Sequence, residues 1–214
     1  MSLGNLISKK VALVTGSTDG IGLHTALKLA LTNEYKVCLH GRNQARLARA
    51  RDYIIQAAPQ ADLDLHLHDF IDLDGPRRLA GDILAKYDRL DILVNNAGVF
   101  QQEKIITTDK LESTFAINCC ATFILNLLLL PLLKITNGSR ILNVSSISQS
   151  DIGTMDLSNL QFEKGGFTSY DSYSLSKLVV AMMSHELALR IRPSDCLVLS
   201  CDPGTVNTKM LLGT

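Results

Sequence analysis

Six short, nearly unbroken apolar runs recur along the chain, at Lys10–Val14, Lys36–His40, Asp62–Leu67, Asp91–Asn95, Arg140–Val144 and Cys196–Cys201. Strands covered on both faces read this way, whereas a strand with one wet face alternates apolar and polar positions. Between the runs, apolar residues recur at helical spacing, over roughly Gly20–Thr32, Gln44–Ala57, Leu73–Tyr87, Thr108–Lys134 and Tyr170–Arg192, with Pro193 closing the last. The alternation of strand and helix predicts an α/β fold, a doubly wound parallel sheet with right-handed crossovers and helices on both sides. Ligands of such sheets bind outside the carboxyl ends of the strands. The chemically suggestive segments of this chain all fall at such ends.

Length and composition narrow the picture. The 214 residues suffice for one core, and no linker, repeat or low-complexity tract divides them, so 1–214 is expected to be a single domain. Lys+Arg and Asp+Glu number 21 each, which gives no overall field to attract nucleic acid. Cys38, Cys119, Cys120, Cys196 and Cys201 are scattered through mostly apolar contexts and do not form a disulfide framework. Together with the lack of a signal-peptide pattern in Met1–Lys10, they suggest a reducing, cytoplasmic setting or the cytosolic face of a membrane. The most apolar stretch, Phe123–Leu133, is shorter than the ~20 residues a bilayer span takes. It reads as a buried helix; a subunit interface in a homo-oligomer and peripheral membrane contact are its other uses.

The segment Thr15-Gly16-Ser17-Thr18-Asp19-Gly20-Ile21-Gly22 follows the first strand and opens the first helix. Gly16 suits a sharp turn, while Gly20 and Gly22 let backbone amides approach a phosphate and the helix pack closely on the sheet. The helix start offers unpaired N–H groups and partial positive charge to a pyrophosphate. Gly16, Ser17, Thr18, Gly20, Ile21 and Gly22 are therefore candidate dinucleotide contacts. After the second strand comes His40-Gly41-Arg42-Asn43, with no carboxylate to hold a ribose diol. The Arg42 guanidinium can pair with a 2′-phosphate, which favours NADP over NAD.

Tyr173 and Lys177 are four residues apart, hence on one helix face. A carbonyl that receives hydride needs a proton, and an unperturbed phenol, with pKa ~10, exchanges one poorly near neutrality. A neighbouring ammonium is expected to lower that value. Ser145 and Ser146 follow the fifth strand and face opposite ways, so one of them can reach the cleft. His66 and His68 alternate on the third strand near Asp64 and Asp69, but two imidazoles fall short of a metal site, and no metal is expected.

The glycine pattern Gly-x-x-x-Gly-x-Gly after Thr15 resembles that of the short-chain dehydrogenase/reductase family, and the likeness continues in order. Asn95-Asn96-Ala97-Gly98, Asn118, Asn143-Val144-Ser145-Ser146, Tyr173-Ser174-Leu175-Ser176-Lys177 and Asp202-Pro203-Gly204-Thr205-Val206-Asn207-Thr208 match its further motifs, from Lys10 to about Lys209. The resemblance implies a Rossmann-type fold and a catalytic set of Asn118, Ser146, Tyr173 and Lys177, with Ser146 preferred to Ser145. In that scheme Ser146 steadies the substrate oxygen, Lys177 also holds the nicotinamide ribose, and Asn118 holds a water that links Lys177 to solvent. It also implies cofactor contacts at Asp69 for adenine, at Asn95, Ala97 and Gly98, and at Pro203, Gly204, Val206 and Thr208.

The segment Ile147 to Ser172 is longer than in compact family members and resembles the retinol-dehydrogenase-like branch. That branch implies a small lipophilic alcohol or carbonyl as substrate, such as a retinoid, steroid or prenol. The chain stops at Thr214, where relatives continue into a covering helix and further elements. The expectation is a domain without the usual lid and last strand, with the sixth strand as a sheet edge. Dinucleotide binding should then persist better than turnover. An NADP-binding sensor or partner subunit with little catalysis is the alternative to an oxidoreductase.

Overall fold

The structure is a computed structural model that describes residues 9–153 and 156–204. Six parallel strands form one sheet: β1 (Lys10–Val14), β2 (Tyr35–Gly41), β3 (Asp62–Leu67), β4 (Ile92–Asn95), β5 (Arg140–Val144) and β6 (Leu197–Cys201). Their order is β3-β2-β1-β4-β5-β6, so β3 and β6 are its edges. The helices between them are α1 (Gly20–Leu31), α2 (Gln44–Ala57), α3 (Asp74–Lys86), α4 (Ser113–Phe115), α5 (Ala121–Ile135) and α6 (Ser169–Arg190). After β3 the chain returns to place β4 beside β1. The crevice at that reversal is where such a sheet receives its ligand.

Alternation along β1 shows how the two cores form. Val11 and Leu13 join one apolar cluster, with Leu79 and Ile83 of α3 and Leu125 and Leu129 of α5. Val14 points the other way, into a cluster with Ala26 and Ala30 of α1 and Leu47 and Ile54 of α2. Both faces are covered, which is why the strands carry so little polar alternation.

The expected helix over Thr108–Lys134 is different in detail. It begins at Ser113, because Thr107–Glu112 folds into a turn with Lys110 at φ +62° and an antiparallel bridge from Ile106 to Glu112. Five residues, Ala116–Cys120, form a π turn between α4 and α5. The whole run Ser113–Ile135 has 23 residues, so length does not exclude a membrane span as the apolar stretch suggested. In this fold 61% of its most apolar window is buried.

Candidate active site

A cleft of about 650 Å³ opens along the carboxyl ends of β1, β2, β4 and β5. That is within the ~300–1,000 Å³ usual for small-molecule sites. Its floor is the turn after β1. Gly16 has φ +62°, and a Cβ there would lie 2.8 Å from the Ala97 Cα. At Gly22 a Cβ would come within 2.4 Å of both the Asn96 Nδ2 and the Gly16 carbonyl oxygen. Glycine is thus required where the first helix meets the turns after β1 and β4. Thr15 ties those turns together, its Oγ1 accepting from the Asn96 and Ala97 backbone N–H groups at 3.0 Å each.

The predicted cofactor residues divide into those that face the cleft and those behind it. Gly16, Thr18, Gly20, Ile21, Arg42, Asp69, Ala97, Gly98, Tyr173, Lys177 and Pro203 line it. Ser17 does not: its buried hydroxyl accepts from the His40 backbone N–H at 2.9 Å and fastens the turn to β2. Gly22 acts through packing. Asn95 is also behind the cleft, 4% exposed, donating to Asn126 Oδ1 at 2.7 Å and Asn143 Oδ1 at 2.8 Å in a core network. Asn96 takes the lining position, its amide held by the Thr15 and Gly16 carbonyls. Gly204 lies just past the lining, and Val206 and Thr208 fall outside the described residues.

Two lining residues carry no obvious sequence signal. Arg46 lies in the first turn of α2, four residues after Arg42, and both residues are exposed at the end of the cleft. Neither makes an ion pair with a described residue. The other is His40, 3% exposed and stacked on Phe70 with ring centroids 4.3 Å apart. Its Nδ1 accepts the Gly16 N–H at 3.2 Å, and its Nε2–H donates to the His68 carbonyl at 3.0 Å. Burial, with some repulsion from His68 and His66, pushes its pKa down to about 3. A neutral imidazole therefore braces the phosphate turn from beneath.

At the other end stand the predicted catalytic residues. Ser146 lies beside the Tyr173 phenol, its Oγ accepting from the Ser148 N–H at 3.3 Å and the Ser148 hydroxyl at 3.0 Å. Ser145 is 2% exposed, with its hydroxyl 2.9 Å from the Lys177 carbonyl and 2.8 Å from the Gln149 amide oxygen. Ser145 thus anchors α6 from the cleft wall, while Ser146 is the serine beside the phenol. Lys177 is buried, and its Nζ donates to the Val144 carbonyl at 2.9 Å. That ammonium lies 5.5 Å from the centre of the Tyr173 ring. The expected lowering of Tyr173 by Lys177 is not what this geometry delivers. Burial pushes the phenol above its ordinary value, the Ser146 hydroxyl pulls it down, and the Asp202 carboxylate pushes it up. Burial also pushes the Lys177 ammonium down to about 8.

Asn118 sits in the π turn, a feature frequent at functional sites. Its Oδ1 accepts from Val99 N at 2.8 Å, and its Nδ2 donates to the Val99 carbonyl (3.1 Å) and Ser176 Oγ (2.9 Å). With both amide hydrogens engaged by protein, the side chain positions the loop after β4. Sequence reading missed Glu112, which is fully buried. Its carboxylate accepts from the Thr114 and Phe115 N–H groups and from Ser172 Oγ at 2.9 Å, joining the start of α4 to the helix that carries Tyr173. Glutamate seldom caps a helix through its own side chain, so no standard capping pattern marks it. Tyr170, beside the motif, hydrogen-bonds Asp151 and is exposed.

The short chain dehydrogenase profile matches residues 10–213. The chain belongs to this family. Among similar curated proteins, human retinol dehydrogenase 13 is 31% identical over 204 residues, covering 95% of this chain and 61% of its own length. Mouse retinol dehydrogenase 11 is 34% identical over 201 residues, covering 94% of this chain and 63% of its own. The chain therefore spans roughly three-fifths of the relatives it matches. Among solved structures, the Pseudomonas aeruginosa RhlG/NADP active-site complex superposes with a TM-score of 0.76 at 27% identity, covering 97% of this chain and 77% of that one. The Rossmann-type sheet expected from the motifs holds, and the branch that the segment before Tyr173 resembles is the one these curated relatives are named for.

Proposed function

We propose that this short chain dehydrogenase binds NADP(H) and interconverts a hydroxyl and a carbonyl on a small lipophilic molecule of the retinoid, steroid or prenol kind. The observation that carries the reading is the two-ended cleft. Arg42 and Arg46, with no ion-pair partner among the described residues, stand at one end, and Tyr173 and Lys177 line the other, with Ser146 beside the phenol. The relatives support the substrate class, and the RhlG/NADP complex supports the cofactor. The five cysteines, all free, suit a reducing cytosolic setting.

The residues fit a dinucleotide. The glycine turn and the start of α1 would hold the pyrophosphate, Arg42 and Arg46 the 2′-phosphate, Asp69 the adenine side, and Lys177 the nicotinamide ribose. When bound, the nicotinamide gives or takes a hydride at its C4 carbon. The chain supplies the rest. Ser146 donates to the substrate oxygen, and Tyr173 delivers its phenolic proton there as negative charge develops. Lys177, with a pKa near 8, exchanges a proton readily near neutrality and can restore the phenol. Asn118 keeps the loop after β4 in place, and Val99, Phe100 and Ile105 offer apolar surface to the substrate.

The chain has no tryptophan, so NADPH fluorescence can be titrated without indole overlap. NADPH should bind to both the wild type and Tyr173→Phe. The wild type should reduce retinal or another apolar aldehyde about a hundredfold or more faster than the variant. If NADPH binds but the wild type is no faster than Tyr173→Phe across a panel of aldehydes and ketones, the chain is an NADP-binding protein and the enzyme reading fails.

A further inference from the structure

The edge strand β3 ends at Leu67, with His66 inside it and His68 just past its end, and both imidazoles reach the same carboxylate. The helix α3 brings Asp82 over them. Asp82 Oδ2 lies 2.8 Å from His68 Nε2 and 3.7 Å from His66 Nδ1. One ligand atom from each of the three lies within 4.8 Å of the other two. Donors bound tetrahedrally at ~2.0–2.1 Å from one ion stand about 3.3 Å apart, so modest side-chain rotation would close the set.

A half-buried carboxylate stands behind His66 and leaves its Nδ1 facing Asp82. His66 is 5% exposed, yet its Nε2 has no hydrogen-bond partner among the described residues. Asp64 Oδ2 is only 3.0 Å away but is not aligned with that nitrogen for a hydrogen bond. Asp64 is itself held in place, by the Lys86 ammonium at 2.8 Å and the Tyr87 hydroxyl at 2.6 Å. A fixed carboxylate behind the far nitrogen of an imidazole is the usual support of a metal-ligating histidine.

We propose that His66, His68 and Asp82 bind a divalent ion of the zinc class, with Asp64 orienting His66 from behind. Two imidazoles and a carboxylate suit zinc or cobalt rather than calcium or magnesium, and leave a fourth position to water. The ion would brace the cleft wall from outside. His68 lines the cleft, and its carbonyl accepts from His40, which in turn holds the Gly16 N–H.

The test uses the full chain, stripped with a chelator and titrated with Co²⁺. One ion per chain should bind, with the visible ligand-field absorption of four-coordinate cobalt, and Zn²⁺ should displace it. Asp82→Asn should weaken binding at least tenfold. Asp82 is exposed, so this variant tests the site even if the buried His66→Gln fails to fold. His185→Gln, at an exposed histidine on α6, should leave affinity unchanged. Three results would overturn the assignment: no ligand-field band, a band accompanied by thiolate charge transfer, or undiminished affinity in Asp82→Asn.

Discussion

Lowering the pH should undo the structure first at His40. The unfolded chain protonates an imidazole near pH 6.5, whereas burial delays the same event in the folded chain to about pH 3. Between these values the unfolded state takes up a proton that the folded state refuses, so stability falls as pH falls. Each pH unit is worth about 1.4 kcal/mol, so pH 5 removes about 2 kcal/mol and the full window at most about 5 kcal/mol. Protonation would also turn Nδ1 from an acceptor into a donor facing the Gly16 N–H. Carboxylates held below their ordinary value, such as Asp64 and Asp195, lose their contribution only in more acid solution. Urea unfolding at pH 7 and pH 5, for wild type and His40→Gln, isolates the effect. The variant starts less stable, having lost the stack on Phe70, but its loss between the two pH values should be smaller by about 2 kcal/mol. Equal losses in both proteins would refute a neutral, buried His40.

Two further perturbations probe the cleft. Gly22→Ala places a methyl 2.4 Å from Asn96 Nδ2 and the Gly16 carbonyl oxygen, and should cost about 1–3 kcal/mol in the urea midpoint while weakening NADPH binding. An unchanged midpoint would mean that the turn has room to spare. Arg42→Ala should weaken NADPH about tenfold or more and NADH far less, with Arg46→Ala smaller in the same direction. Equal losses for the two cofactors would place the 2′-phosphate elsewhere.

Much of this architecture was legible in the letters. The six apolar runs became six strands, with bounds shifted by no more than a residue. The glycine spacing marked the turn where a Cβ cannot fit. What the letters misplaced were polar side chains just past strand ends. Asn95 turned into the core and Asn96 into the cleft, and Ser17 turned back onto β2. Alternation left Ser145 and Ser146 as rivals, and a hydrogen bond to the Lys177 carbonyl settled which one holds the helix.

By itself the sequence determined the chain's periodicities, its turn chemistry and the residue types at each strand end, because these follow from local backbone geometry repeating over two to four residues. Only the tertiary structure decided how groups distant along the chain combine. It stacked His40 on Phe70, joined Glu112 to Ser172 and carried Asp82 over His66 and His68. Those meetings depend on how helices settle on a twisted sheet, and on burial that shifts a proton's affinity, neither of which has a short-range signature.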